Sequence, residues 1–199
     1  MLTSKPFGEQ SAEEVDLTLS CNLRAPMLLA RLLLPGMLER REGIILNMSS
    51  IMSFLTMPNY TVYCAAKAGL NAWAVGLRAE LFGTGVRVAN VCPGFVTGAG
   101  MYENMLRDFA RKSTPLRISA LHFLWEVSAT NVARMTVLLL KAGAPLALLP
   151  LTLAPQRLVG ALQTVAPDTV TAAFMRRRIY IPGDPFVLSE AGDTLRKEE

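Results

Sequence analysis

The chain has 199 residues, 51% hydrophobic and 18% charged, which is enough apolar sequence for one buried core and too much for a disordered chain. Its net charge of +4 is mild and no basic stripe runs through it, so no nucleic-acid partner is expected. Three widely spaced cysteines, Cys21, Cys64 and Cys92, argue against a disulfide scaffold or a structural zinc site and favour a reducing compartment. The single histidine, His122, excludes any multi-histidine metal centre, and no metal site is expected.

The first residues, MLTSKPFGEQSAEE, lack the apolar core of a signal peptide. Ser11-Ala12-Glu13-Glu14 reads as a capping box. Apolar residues then recur at helical steps (Val15, Leu19, Leu23, Met27, Ala30, Leu34), and Pro26 predicts a kink or a change of helix. Arg40-Arg41-Glu42-Gly43 predicts the helix end, with Gly43 as its terminal glycine. Ile44–Met48 has the length and β-branching of a buried strand. A small polar loop, Ser49–Asn59, leads to a helix over Tyr60–Phe82 that Gly83-Thr84-Gly85 ends. Val86–Val91 reads as a second strand, stopped by Cys92-Pro93-Gly94.

Residues 44–92 therefore spell strand–helix–strand, with parallel strands, one unit of a doubly wound α/β sheet. Ligands of such sheets sit beyond the carboxyl ends of the strands, which points to Ser49–Tyr63 and Pro93–Met101. Further on, Met101–Leu121 reads as mobile and partly helical, and Asn131–Lys141 as a helix ended by Ala142-Gly143. Residues 145–175 read as one or two apolar helices, Ile179–Ile181 as a short strand and 189–199 as a disordered tail. The most apolar stretch, Val132–Ala154, carries Arg134, Lys141, Pro145 and Pro150, so it is expected to be buried or at a membrane surface rather than spanning.

The chemistry concentrates at Tyr63-Cys64-Ala65-Ala66-Lys67. On a helix, positions four apart share a face, so the phenol and the ammonium reach one space. A cation beside a phenol stabilises the phenolate and lowers its pKa, which suits the tyrosine to proton exchange with an alcohol or ketone oxygen. Ser50 follows the strand Ile44–Met48 and is placed to bond the same oxygen. Pro93-Gly94-Phe95-Val96-Thr97 follows the next strand, where the second end of a ligand would lie. Asn22, in the preceding helix, is placed to join a relay to the lysine. Cys64 reads as a small hydrophobe, and the methionines at 48, 52, 57, 101 and 105 as core filling or an adaptable substrate wall.

In this order and spacing, Asn22-Leu23, Leu34-Pro35-Gly36-Met37, Gly43–Ser50, Tyr63-x-x-x-Lys67-Ala68-Gly69, Gly85–Val88 and Pro93–Thr97 together resemble the classical short-chain dehydrogenases/reductases. The resemblance covers roughly residues 5–100 and continues more loosely to 141. It implies a partial Rossmann-type α/β fold and reversible hydride transfer between NAD or NADP and a carbonyl/alcohol pair. Tyr63 would be the general acid/base, and Lys67 would lower its pKa and hold the nicotinamide ribose. Ser50, rather than its neighbour Ser49, would orient the carbonyl, and Asn22 would be the relay member. Pro93, Gly94, Val96 and Thr97 would meet the nicotinamide, and residues of about 101–119 would form the substrate lid.

The departures matter equally. The family's opening strand and glycine-rich turn, which offers backbone N–H groups to a pyrophosphate, have no counterpart: Gly83–Gly85 and Gly98–Gly100 follow the wrong elements. The expectation is a C-terminal part of the domain (residues 1–188, core 11–100) without the N-terminal βαβ half. Its first strand edge would then be bare. The apolar segment 145–175 followed by Arg176-Arg177-Arg178 resembles members acting on lipid-like ketones, which implies an apolar substrate; the arginines read as a solvated helix end or as a peripheral contact with anionic lipid headgroups, within the apolar C-terminal segment 132–178. A cytoplasmic chain, or one on the cytoplasmic face of a membrane, is expected, with homo-oligomers built on the two long helices. The alternative is a truncated, non-catalytic member that pairs with full-length copies or is an incomplete gene product.

Overall fold

The computed structural model describes residues 5–56, 59–98, 100, 102, 126–143 and 146–149. Ser11 forms the expected capping box: its Oγ accepts from the Glu14 N–H at 3.3 Å and its own N–H donates to Glu14 Oε2 at 3.0 Å. Lys5 Nζ holds the other carboxylate oxygen of Glu14 at 2.6 Å. Helix α1 (Ala12–Leu19) runs through a π-helical turn, Ser20–Arg24, into α2 (Ala25–Glu39). In that turn the Ala25 N–H reaches back to the Ser20 carbonyl, so the helix is widened immediately before Pro26, which has no N–H to donate. Pro26 thus changes the helix without ending it.

The end of α2 differs from expectation. Arg41, not Gly43, takes the left-handed conformation (φ 53°), and Gly43 opens strand β1 (Gly43–Met48). A Cβ on Gly43 would meet Met37 Cγ at 2.6 Å, so close helix–strand packing is what requires glycine there.

Helix α3 (Thr61–Glu80) joins β1 to β2 (Val86–Pro93), and the two strands pair in parallel from Gly43↔Val86 to Met48↔Val91. β3 (Phe95–Thr97) pairs in parallel with β4 (Glu126–Ser128), and α4 (Ala129–Lys141) follows, capped by the Ser128 Oγ on the Asn131 N–H at 3.2 Å. β5 (Leu146–Leu149) then adds to the free side of β2, giving the parallel order β1-β2-β5. This corrects two expectations. Residues 146–149 are a strand rather than part of a helix, because a four-residue apolar run after a helix and a glycine turn completes a second crossover. β2 does not stop at Val91: Cys92 and Pro93 pair with Leu148 and Leu149 of that strand.

Alternation along the strands builds the layers. Ile45, Val86 and Val88 face α2 and α3, meeting Ala30, Ala74 and Leu77, while Val91 faces α4 and meets Val132. Helices therefore cover both faces of a parallel sheet, the doubly wound arrangement. The stretch 132–154 is accordingly divided between α4 and β5 as far as residue 149. Among the described residues, the one helical stretch long and apolar enough to cross a membrane is Ala12–Glu39. β1 pairs on one side only among the described residues, and Ile44, Leu46 and Met48 are exposed on its other face. The expectations for Met57, Met101, Met105, His122, Ile179–Ile181, Arg176–Arg178, the tail and nearly all of 101–119 lie outside the described residues.

Candidate active site

The carboxyl ends of β1 and β2 meet one stripe of α3. Tyr63, Lys67 and Asn71 lie four residues apart on that helix and face the strand ends. Small residues make the approach possible: Ala66 and Ala74 are fully buried between helix and sheet.

Ser50 leaves β1 in an extended conformation (φ −160°, ψ 157°) and caps a short 3₁₀ turn, Ile51–Ser53, its Oγ accepting from the Met52 N–H at 3.2 Å. Its side chain lies beside the buried Tyr63 phenol and counters the rise that burial gives that group's pKa. Lys67 Nζ donates to the Met48 carbonyl at 2.9 Å and lies 5.6 Å from the centre of the Tyr63 ring. Ser49 turns the other way: its N–H donates to the Val91 carbonyl at 2.7 Å and its Oγ to the Lys67 carbonyl at 3.4 Å. Ser50, Tyr63 and Lys67 are thus brought together, with Ser50 rather than Ser49 toward the phenol.

The electrostatics differ from the sequence expectation. Burial pushes the Tyr63 phenol above its ordinary value, opposed by the Ser50 side chain, and burial pushes Lys67 down. In place of the expected lowering of Tyr63 by Lys67, both groups sit where low polarity disfavours charge, and the ammonium is turned to a backbone carbonyl.

Asn22 is buried in the π-helical turn, its amide donating to the Thr18 carbonyl at 3.0 Å. That turn packs on α3 through Leu23, against Gly69, where a Cβ would come within 3.3 Å of the leucine. Pro93 closes β2, Gly94 follows, and Val96 and Thr97 lie on β3, all at the same edge of the sheet. Beside them Tyr102 donates to Glu126 Oε1 at 2.7 Å and stacks at a tilt on Phe95 at 5.3 Å. Burial and the neighbouring carboxylate hold the Tyr102 phenol well above the usual range.

Sequence reasoning missed four polar residues under the site: Asn47, Asn90, Asn71 and Ser53. They form a chain of side-chain hydrogen bonds. The signal was available, since Asn71 extends the four-residue spacing of Tyr63 and Lys67 by one more step.

The residues present fit the nicotinamide-ribose end of a dinucleotide. Lys67 is a buried ammonium with one hydrogen-bonded protein acceptor among the described residues, which leaves N–H donors for ligand hydroxyls. No strand–glycine-turn–helix precedes β1 among the described residues, so no cradle for the pyrophosphate is seen there.

Known proteins agree with this architecture. The sequence pattern of the short chain dehydrogenase family matches residues 1–108. Ketoacyl reductase HetN of Nostoc sp. is 44% identical over 95 residues, which are 48% of this chain and 33% of that protein. The 2-(S)-hydroxypropyl-CoM dehydrogenase 3 of Xanthobacter autotrophicus is 37% identical over 91 residues, 46% of this chain and 36% of that protein. The match thus spans about a third of the length of these relatives. A solved 4-hydroxyisoleucine dehydrogenase mutant, complexed with NADH and succinate, shares the fold at a TM-score of 0.64 and 19% identity, over 75% of this chain and 63% of its own. The chain belongs to the short chain dehydrogenase family.

Proposed function

We propose that this chain carries the proton-handling part of an NAD- or NADP-dependent oxidoreductase that interconverts a carbonyl and an alcohol on a small apolar substrate. The observation that carries the reading is the convergence of Ser50 and the Lys67 ammonium on the buried Tyr63 phenol, with the ammonium 5.6 Å from the centre of that ring. Family membership and the names of the relatives, a ketoacyl reductase and a hydroxyalkyl dehydrogenase, support it. The three free cysteines fit a reducing compartment such as the cytoplasm.

The nicotinamide, when bound, supplies or accepts the hydride. Lys67 and Tyr63 would hold its ribose, with Pro93, Gly94, Val96 and Thr97 along the nicotinamide. Ser50 holds the substrate oxygen by a hydrogen bond, and Tyr63 gives that oxygen its proton in reduction or removes it in oxidation. Burial keeps Tyr63 protonated, the form that reduction needs. Ligand hydroxyls drawing Lys67 from the Met48 carbonyl would bring its charge to bear on the phenol, which favours the phenolate. Asn22 would anchor the far side of the lysine through the π-helical turn.

Carbonyl reduction assayed with NADH and NADPH across apolar ketones tests this. Tyr63→Phe is expected to lower kcat/KM by about 10²–10⁴-fold with the fold intact, and parental activity in that variant would overturn the role. A second reading is a non-catalytic chain that pairs with other copies. α2 exposes Leu28, Leu29, Leu32 and Leu33 on adjacent turns, and Leu32 is 76% exposed. A homo-oligomer through this face is part of both readings, and the ketone assay separates them.

A further inference from the structure

A directed chain of hydrogen bonds runs beneath the site. Asn47 Nδ2 donates to Asn90 Oδ1 at 3.0 Å, and Asn90 Nδ2 donates to Asn71 Oδ1 at 2.8 Å. Asn71 Nδ2 donates to Ser53 Oγ at 2.6 Å, and Ser53 Oγ donates to the Ser50 carbonyl at 2.5 Å. Its direction follows from its last member. A carbonyl accepts only, so the Ser53 proton must point at Ser50, and the Ser53 oxygen is left to accept from Asn71. That assigns the amide orientation of Asn71, then of Asn90, then of Asn47. Asn47 and Asn90 are register partners on the paired strands and both are buried, so the chain starts on the most rigid part of the sheet.

We propose that Asn71 is a positioning residue of the Ser50–Tyr63 pair, acting through Ser53 on the backbone carbonyl of Ser50. This rests on the reading of Ser50 and Tyr63 given above and adds what holds the serine in place. The turn Ile51–Ser53 has a single backbone bond back to Ser50, from the Ser53 N–H at 3.1 Å, and one short turn of that kind is weak alone. The Ser53 hydroxyl doubles that bond, and Asn71 fixes the hydroxyl. Asn71 lies on the same helix stripe as Tyr63 and Lys67. One rigid element thereby sets the phenol, the ammonium and, through two hydrogen bonds, the backbone of the serine that faces them. The thiol of Cys92, 3.8 Å from both ends of the Asn71 amide, closes the site from below. A polar filler would need its hydrogen bonds satisfied but would have no effect on Tyr63. A positioning residue must change how Tyr63 titrates, because Ser50 is the polar side chain beside that phenol that opposes the effect of burial.

The test follows the four tyrosine ¹³Cζ resonances of the labelled chain against pH, with Tyr63 assigned by its absence from Tyr63→Phe. Ser53→Ala and Asn71→Leu are each expected to raise the Tyr63 midpoint by about half to one pH unit, the size of one hydrogen bond to the ionised form. The double variant is expected to move it no further than either single change, and the other tyrosines are expected to hold their midpoints. Should Asn71→Leu fail to fold, Asn71→Asp replaces it, since it keeps the bond from Asn90 and has no N–H for Ser53. A parental Tyr63 midpoint in folded Ser53→Ala, or in the folded Asn71 variant, overturns the proposal. The titration needs neither cofactor nor substrate. A parental midpoint in a chain that reduces ketones removes the positioning role alone, and a shifted midpoint in a chain that does not removes the oxidoreductase reading alone.

Discussion

Lys67 carries the sharpest consequence at the scale of single residues. Burial holds its pKa below the ordinary 10.5, so between its folded and unfolded values the unfolded chain binds more protons. Its contribution to folding stability should therefore rise as pH rises through that window toward 10.5. Denaturant unfolding between neutral pH and about pH 10 is expected to give a more positive change of stability with pH in the parent than in Lys67→Met, whose side chain has no proton to gain, over the opposing fall that the burial-raised Tyr63, Tyr102 and Cys92 contribute to both. An identical slope in both would mean that the ammonium is solvated in the folded chain. The Tyr63–Lys67 spacing and the placement of Ser50 after a strand were legible from the sequence because they are local. The upward shift of Tyr63 was not, because it depends on how deeply α3 presses on the strand ends. Asn71 was one helical step from legibility; its partner Asn90 was not, since only strand register pairs it with Asn47.

Among the elements, local chemistry was read well where one turn contains all of it. The Ser11–Glu14 capping box formed as expected. The turn between α2 and β1 was misread because its glycine serves packing, while Arg41 carries the positive φ. Gly85 is the glycine whose conformation and space both matter: its φ is +88° and an added Cβ would lie on the Arg41 carbonyl oxygen. Gly85→Ala is expected to cost about 2 kcal/mol or more of stability by equilibrium unfolding, through strain in the αL region and displacement of the preceding loop. Gly83→Ala meets nothing within 4 Å and is expected to cost less, from its φ of +77° alone. Equal costs at the two positions would contradict the close approach to Arg41. β5 was missed because a four-residue apolar run such as Leu146–Leu149 fits a helix or a strand equally until the sheet it joins is known.

At the scale of the molecule, two apolar surfaces remain without partners among the described residues. One is the open edge and outer face of β1, with Ile44, Leu46 and Met48. The other is the leucine face of α2, with Leu28, Leu29, Leu32 and Leu33. The sequence expectation was a bare edge on the first strand and self-association through the two long helices. Burying a charge in an apolar dimer face is costly, so Leu32→Glu is expected to shift the chain from dimer to monomer in sedimentation velocity. An unchanged sedimentation coefficient would contradict pairing through this face.

The central claim is that these residues, by themselves, form the nicotinamide-ribose end of a dehydrogenase site. Titration of the folded chain with reduced nicotinamide mononucleotide, followed by nicotinamide fluorescence, tests it without asking for a pyrophosphate cradle. The account predicts saturable binding that Lys67→Met abolishes while the chain stays folded. Absence of binding to the folded parent, or binding unchanged in Lys67→Met, would contradict it.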